Sequence, residues 1–414
     1  MAILKPFKGI RPVQDKVAQI ASKPYDVLNE IEAKDEAGDN ANSFYHVIKP
    51  EIDFPLDFDH YAPEIYLKGK ENMMRMINEG VFHTDTKECY YIYRQTMDGR
   101  SQAGIVGCAG VDDYFNDIIK KHELTRPDKE EDRKNHVRVS QMNYEPVFFA
   151  YPQHKELDVI MEHIMAGKPE YDFVADDGIG HTLWVVSDDK TINDITTNFA
   201  NVKYTYVADG HHRTAAAALV GKEMREKNPN HTGKEEYNYF LAVHFPDNQL
   251  KIFDYNRVIK DLNGLTSEEF IAKLGESFII EEKGTTTYRP NALHNFGMFI
   301  EGKWYSLTAK PGTYNDADPI GVLDVTILSE RILAPILNIK DLRTDKRIEF
   351  VGGIRGLGEL EKRVNSGEMK AAFALYAVSM KQLIDIADSG QIMPPKTTWF
   401  EPKLRSGLVI HSLV

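Results

Sequence analysis

Apolar positions recur along this chain at two spacings. Tyr66, Met73, Met74 and Ile77 sit among polar residues at helical intervals, which predicts a helix over residues 59–80. Two strand-like runs follow, Glu88 to Thr96 and Ala103 to Val111. Their link, Met97-Asp-Gly-Arg-Ser, holds an Asp-Gly pair, so an antiparallel hairpin is expected. Residues 3–50 carry no sustained pattern and read as irregular. Residues 115–142 are highly charged and read as a helix interrupted near Pro127. Residues 145–151 and 181–187 are apolar enough for buried strands. Val202 to Ala208 reads as another strand, with an alanine-rich helix directly after it. Tyr239 to Phe245 and Leu250 to Tyr255 read as a second hairpin, joined by Pro246-Asp-Asn-Gln.

A boundary is expected near Asp261-Leu-Asn-Gly-Leu. Beyond it the pattern gives a helix over 266–276, a strand, a strand over 298–308 and a helix over 322–337. Then come a strand from Arg347 to Val351, a helix over 356–366, a strand from Ala371 to Val378 and a helix over 379–389. That last stretch alternates as a βαβα region. The proline-bearing tail from Met393 onward is expected to avoid helix and to end in a short strand. The fold class is therefore α+β or mixed α/β. Two regions are expected: a core over 1–260, and a C-terminal α/β region over 261–414 packing on it.

Composition narrows the class. A length of 414 residues suits two domains, and 42% apolar with 27% charged residues is ordinary for a globular chain. A net charge of −13 disfavours broad non-specific binding of nucleic acid, which needs clustered Lys and Arg. Cys89 and Cys108 are too few for a disulfide scaffold or a cysteine-rich zinc site. No apolar run approaches the roughly 20 residues that span a bilayer. The expectation is a cytoplasmic protein without membrane contact; a homodimer is left open.

The most informative string is Val207-Ala-Asp-Gly-His-His-Arg, followed by Thr and four alanines. A strand that ends in a glycine turn and opens a helix leaves amide N–H groups unpaired where the helix dipole favours an anion. Gly210 lets the backbone approach a ligand closely. His211, His212 and Arg213 add polar donors, and Arg213 can contact phosphate with two prongs. Arg213 is expected to be exposed in a pocket. The bland reading is an Asp209 helix cap with two solvated histidines. Zinc is disfavoured, because adjacent helix residues do not share a face.

Three weaker signals accompany this string. In Lys121-His-Glu-Leu-Thr-Arg, a zinc-protease motif fails because Arg126 stands where a second histidine is needed. Mixed charge there usually marks a solvated helix. The sharper reading makes Glu123 or Asp132 a general base or Mg²⁺ ligand, with Arg126 and Arg133 on phosphate. Lys23-Pro-Tyr-Asp-Val places Tyr25 and Asp26 in a turn. In the tail, Lys396 and Lys403 flank Trp399 and Phe400 and could serve an anionic substrate. The P-loop, the GxGxxG fingerprint, the GxSxG elbow and the protein-kinase set are all missing.

Ala208-Asp-Gly-His-His-Arg resembles the nucleotide-phosphate motif of the ParB/sulfiredoxin-like superfamily, in particular the archaeal free serine kinases, which use ADP. The whole chain resembles a large bacterial and archaeal family in that superfamily. That likeness runs through Lys23-Pro-Tyr-Asp-Val, His122-Glu123, Asp132-Arg133, Asp177-Gly178 with His181 and Trp184, Met393-Pro-Pro-Lys-Thr-Thr, and Phe400-Glu-Pro-Lys with Ser406-Gly-Leu. The resemblance implies a ParB/sulfiredoxin-like core with a nucleotide phosphate at 209–213. It also implies a Mg²⁺-dependent phosphotransferase between ADP or ATP and serine or O-phosphoserine. In this chain Glu123 would be the base, with His212 and Asp209 beside it. Asp209, Gly210, His211, His212, Arg213, Arg126 and Arg133 would hold the nucleotide. Asp209 and Asp132 would hold the metal, and Tyr25, Asp26, Lys396 and Lys403 the substrate. The alternatives are a nucleotide-binding regulator of DNA-partition type and a nucleotide-independent phosphoserine phosphatase.

Overall fold

A computed structural model describes residues 1–414. The protein is mixed α/β, with 13 α-helices and a large, mostly antiparallel sheet. It divides into two units: Met1–Leu250 with Pro402–Val414, and Lys251–Glu401. The second unit is thus an insertion. Its edges differ from 261 and 414 because the tail returns to the first unit. There Ser22 bridges Ser406, Ile10 bridges Ile410, and His411 pairs with Asn143.

The first unit is built on a nine-stranded sheet. Its order is Ile119–Lys120, Thr205–Asp209, Val147–Tyr151, Tyr239–Pro246, Arg100–Gly110, Tyr90–Met97, Gly180–Val186 and Tyr171–Val174, with Leu4–Lys5 also paired to Arg100–Gly110. Only two pairings are parallel, Thr205–Asp209 with Ile119–Lys120 and Tyr239–Pro246 with Val147–Tyr151. The expected Asp-Gly hairpin is present. Asp98 and Gly99 both take positive φ, 51° and 75°, the geometry that lets a two-residue turn follow strand twist. Helices Lys155–Met165 and Asp189–Phe199 bury Leu157, Met161, Ile195 and Phe199 against Tyr90, Ile92, Ile105 and Trp184.

Four local expectations are corrected. Residues 3–50 hold short strands and helices, including Glu30–Ala37 with an Asn29–Glu32 capping box. Pro127 begins the helix Pro127–Ser140 rather than interrupting one, since the first helical position needs no N–H partner. Ile252–Phe253 does not return onto Tyr239–Pro246. It pairs with Trp399–Phe400, far away in sequence. The 322–337 helix is short, Asp324–Leu328, and continues as one wide turn over Ser329–Leu333.

The second unit has a six-stranded antiparallel sheet, ordered Phe278–Gly284, Lys303–Ala309, Asn295–Ile300, Ala371–Ala374, Tyr255–Ile259 and Ile348–Gly352. The βαβα region is present in order, but its two strands are not neighbours. Tyr255–Ile259 lies between them and pairs antiparallel with both. Helix Leu357–Asn365 buries Leu357, Leu360 and Val364 against Trp304 and Val351.

Candidate anion-binding corner

Strand Thr205–Asp209 runs antiparallel to Val147–Tyr151 with a slip between Val207 and Asp209, so Ala208 is an extra residue. Such a bulge re-aims the side chain that follows it, here Asp209. Gly210 then turns in the left-handed region, φ 94°, and helix His211–Lys227 begins. A Cβ at Gly210 would stand 3.0 Å from the Arg213 guanidinium, and at this φ any side chain is strained, so glycine is favoured. No side chain caps the helix start.

Asp209 does not cap that helix. Its Oδ2 accepts from Arg213 Nη2 at 2.8 Å and its Oδ1 from Lys403 Nζ at 2.8 Å. The carboxyl side chain is 23% exposed and is held down to about 2. Burial opposes this, and the charges of Lys403 and then Arg213 overcome it. Arg213 corrects the expectation of an exposed donor. It is buried, and its Nη1 donates to the Pro146 carbonyl at 2.9 Å. The alanine run after it lets the backbone pass close to its neighbours. Helix Pro127–Ser140 packs beside it, and Arg138 grips Glu223 at 3.0 and 2.9 Å.

The 121–136 stretch meets the corner in three ways. The His122 and His211 rings meet edge-on, 4.5 Å apart, and burial pushes His122 down to about 4 and His211 well below its usual range. Both imidazoles are therefore neutral. Glu123 Oε2 lies 3.8 Å from His211 Nδ1. His212 Nε2 accepts from the Arg126 backbone N–H at 3.0 Å, which fixes the start of the neighbouring helix. The exposed Arg126 side chain pairs with Asp128, not with the corner.

Arg133 is not a free phosphate donor either. It donates to Asp132 Oδ2 at 3.1 and 2.8 Å, lies 3.5 Å from Glu145, and stacks 3.8 Å from the Tyr25 ring. Asp132 Oδ1 also accepts from Tyr66 at 3.2 Å. Both oxygens of Asp209 and both of Asp132 therefore already accept from other donors. No three His, Cys, Asp or Glu side chains gather where they could hold a metal. These residues form no preformed protein cage for Mg²⁺, an ion commonly held by one or two carboxylates together with waters and phosphate.

Glu145 was not singled out in the sequence, because it precedes a proline at the edge of an apolar strand and belongs to no motif. It is buried between Arg133, the Tyr25 N–H at 3.1 Å and the Ser406 hydroxyl at 3.3 Å. Burial raises its pKa, against the pull of Arg213 and Arg133. Arg405 was missed as well. It bonds His181 Nε2 at 3.2 Å and pairs with Asp177, while His181 Nδ1 meets the Tyr93 hydroxyl at 2.7 Å. Asp26 is exposed next to Tyr25. The tail thus ties together the motifs at 22–26, 177–181 and 209–213. Lys396 is not part of this assembly. It is exposed in the second unit, 5.8 Å from the Tyr255 ring centre.

In this mixed α/β unit a bulged strand and a left-handed glycine thus open a helix beside two cations. The chain belongs to a family of proteins of unknown function, DUF1015, whose profile matches residues 4–326. Among curated proteins no sequence matches. Several solved structures are similar. A free serine kinase variant in complex with AMP is 13% identical over 76% of this chain and 88% of that one, with a TM-score of 0.35. A conserved hypothetical protein from Pyrococcus furiosus is 15% identical over 73% and 93%, at 0.33. SbnI with a C-terminal truncation, from Staphylococcus aureus, is 12% identical over 72% and 82%, at 0.32. All three scores lie below 0.5 and establish neither a shared fold nor a shared activity. No helix is long and apolar enough to cross a membrane.

Proposed function

We propose that the first unit transfers a phosphoryl group between an adenine nucleotide and free serine or O-phosphoserine. The observation that carries this reading is the corner at 209–213: a left-handed Gly210, an uncapped start of a 17-residue helix, and two cations converging on Asp209. The resemblance of Ala208-Asp-Gly-His-His-Arg to the phosphate motif of free serine kinases supplies the nucleotide and the serine. The backbone amides of His211 to Arg213 and the helix dipole would hold the phosphate, and Lys403 and Arg213 would offset its charge.

In the forward step the serine hydroxyl oxygen forms the new bond to phosphorus. The bond from phosphorus to the nucleotide's bridging oxygen breaks, and the hydroxyl proton passes to Glu123. Phosphoryl transfer of this kind depends mainly on positioning and charge neutralisation. The test incubates purified protein with serine or phosphoserine and AMP, ADP or ATP in magnesium buffer, and follows phosphoserine by mass spectrometry. Interconversion with one pair is expected; no turnover with any pair sinks the reading.

A further inference from the structure

A cavity of about 40 Å³ lies in the first unit, lined by Arg133, His136, Tyr144, Glu145, Arg213 and apolar side chains. A water needs about 10–15 Å³ of such space and occupies about 30 Å³ of liquid. The cavity therefore has room for several waters or for one small molecule, such as a small amino acid.

The lining carries both signs of charge and uneven hydrogen bonding. Arg213 uses Nη1 and Nη2 on Pro146 and Asp209, while its Nε has no partner. The Tyr144 hydroxyl faces Ser140 without completing a hydrogen bond. Two buried donors thus lack acceptors, a costly state in a close-packed interior. Glu145 has the opposite imbalance. Its carboxylate accepts from Tyr25 and Ser406 on one oxygen and lies 3.5 Å from Arg133 on the other. A carboxylate offers about four lone-pair sites, so room for another donor remains.

We propose that this cavity binds a small zwitterionic amino acid, with its ammonium on Glu145 and its oxygens on Arg213 Nε and the Tyr144 hydroxyl. The assignment of this molecule as the phosphoryl acceptor rests on the function proposed above; its binding does not. Arg213 joins the two places: it lines the cavity, and its Nη2 donates to Asp209 at the corner.

The test is calorimetric titration of the full chain, without nucleotide, with L-serine, ethanolamine, glycolate and L-phenylalanine. L-serine is expected to bind. Ethanolamine lacks the carboxylate, glycolate lacks the ammonium, and L-phenylalanine exceeds the volume, so each should bind at least tenfold more weakly. Glu145→Gln should abolish L-serine binding. Should that variant not fold, Ala217→Met fills the same cavity without changing charge, and should abolish L-serine binding while nucleotide affinity stays within twofold. No heat with L-serine, or L-serine binding untouched by Ala217→Met, overturns the assignment. L-serine binding without any nucleotide binding leaves the cavity assigned and sinks the phosphotransferase. Nucleotide turnover with an unoccupied cavity does the reverse.

Discussion

Asp209 in the first unit is partly exposed and Asp324 in the second is buried, and they end in opposite states. Asp209 has a cation on each oxygen and is held down to about 2. Asp324 is 3% exposed and accepts one backbone N–H, from His294 at 2.8 Å, while its other oxygen has no partner. Burial pushes it up to about 7. Deeper burial and the lack of a cation act together on Asp324. Only the first arrangement keeps a permanent anion with two cations beside it.

The comparison breaks most visibly at Arg213. Breaking a buried ion pair by removing one partner costs about 3–5 kcal/mol, and Arg213→Ala leaves Asp209 with Lys403 as its one cation. Arg213→Ala also strands the Pro146 carbonyl. The melting temperature is expected to fall by on the order of 10 °C together with nucleotide affinity. An unchanged melting temperature with weakened nucleotide binding would show that Arg213 serves the ligand alone.

Asp324 sharpens the other side. Its carboxyl holds a proton more tightly folded than unfolded, so the fold is favoured while it is protonated. Stability is then lost as pH rises from about 4 through about 7. Asp324→Asn cannot ionise. At pH 8 it should gain about 2–4 kcal/mol over the parent chain, with the gain vanishing toward pH 4. Denaturant unfolding across that range reads this directly; parallel curves for the two proteins would reject it.

The smallest effect falls at His212. Its Nε2 accepts from the Arg126 N–H, an exposed contact worth about 1 kcal/mol. His212→Ala is expected to lower stability by about that amount, with nucleotide affinity unchanged within twofold. A large loss of affinity would return His212 to the ligand.

The elements that could be read from sequence were those fixed by neighbours in the chain. The Asp98-Gly99 turn, the helix after Gly210 and the strand at 147–151 depend on local dihedrals and apolar runs. What escaped depends on distant partners. Ile252–Phe253 finds Trp399–Phe400, and no local signal marks that choice over a hairpin. The 209–213 corner was legible because its glycine and helix start are local. Burial of Arg213 was not, since it needs Asp209 displaced by a bulge and Pro146 from another strand. Glu145 and Arg405 stayed invisible for the same reason: their roles arise only where Tyr25, Arg133, His181 and Ser406 converge.

The return of residues 402–414 to the first unit has a consequence for the order in which the molecule is finished on the ribosome. Asp209 emerges early, but its Lys403 partner emerges only after the whole of 251–401 has been made. At about 5–20 residues per second that interval is on the order of 10 s. For that time the nascent first unit carries an Asp209 with one cation, a Glu145 without Ser406 and a His181 without Arg405. A growing chain therefore holds the corner without its second cation until residues 402–414 arrive.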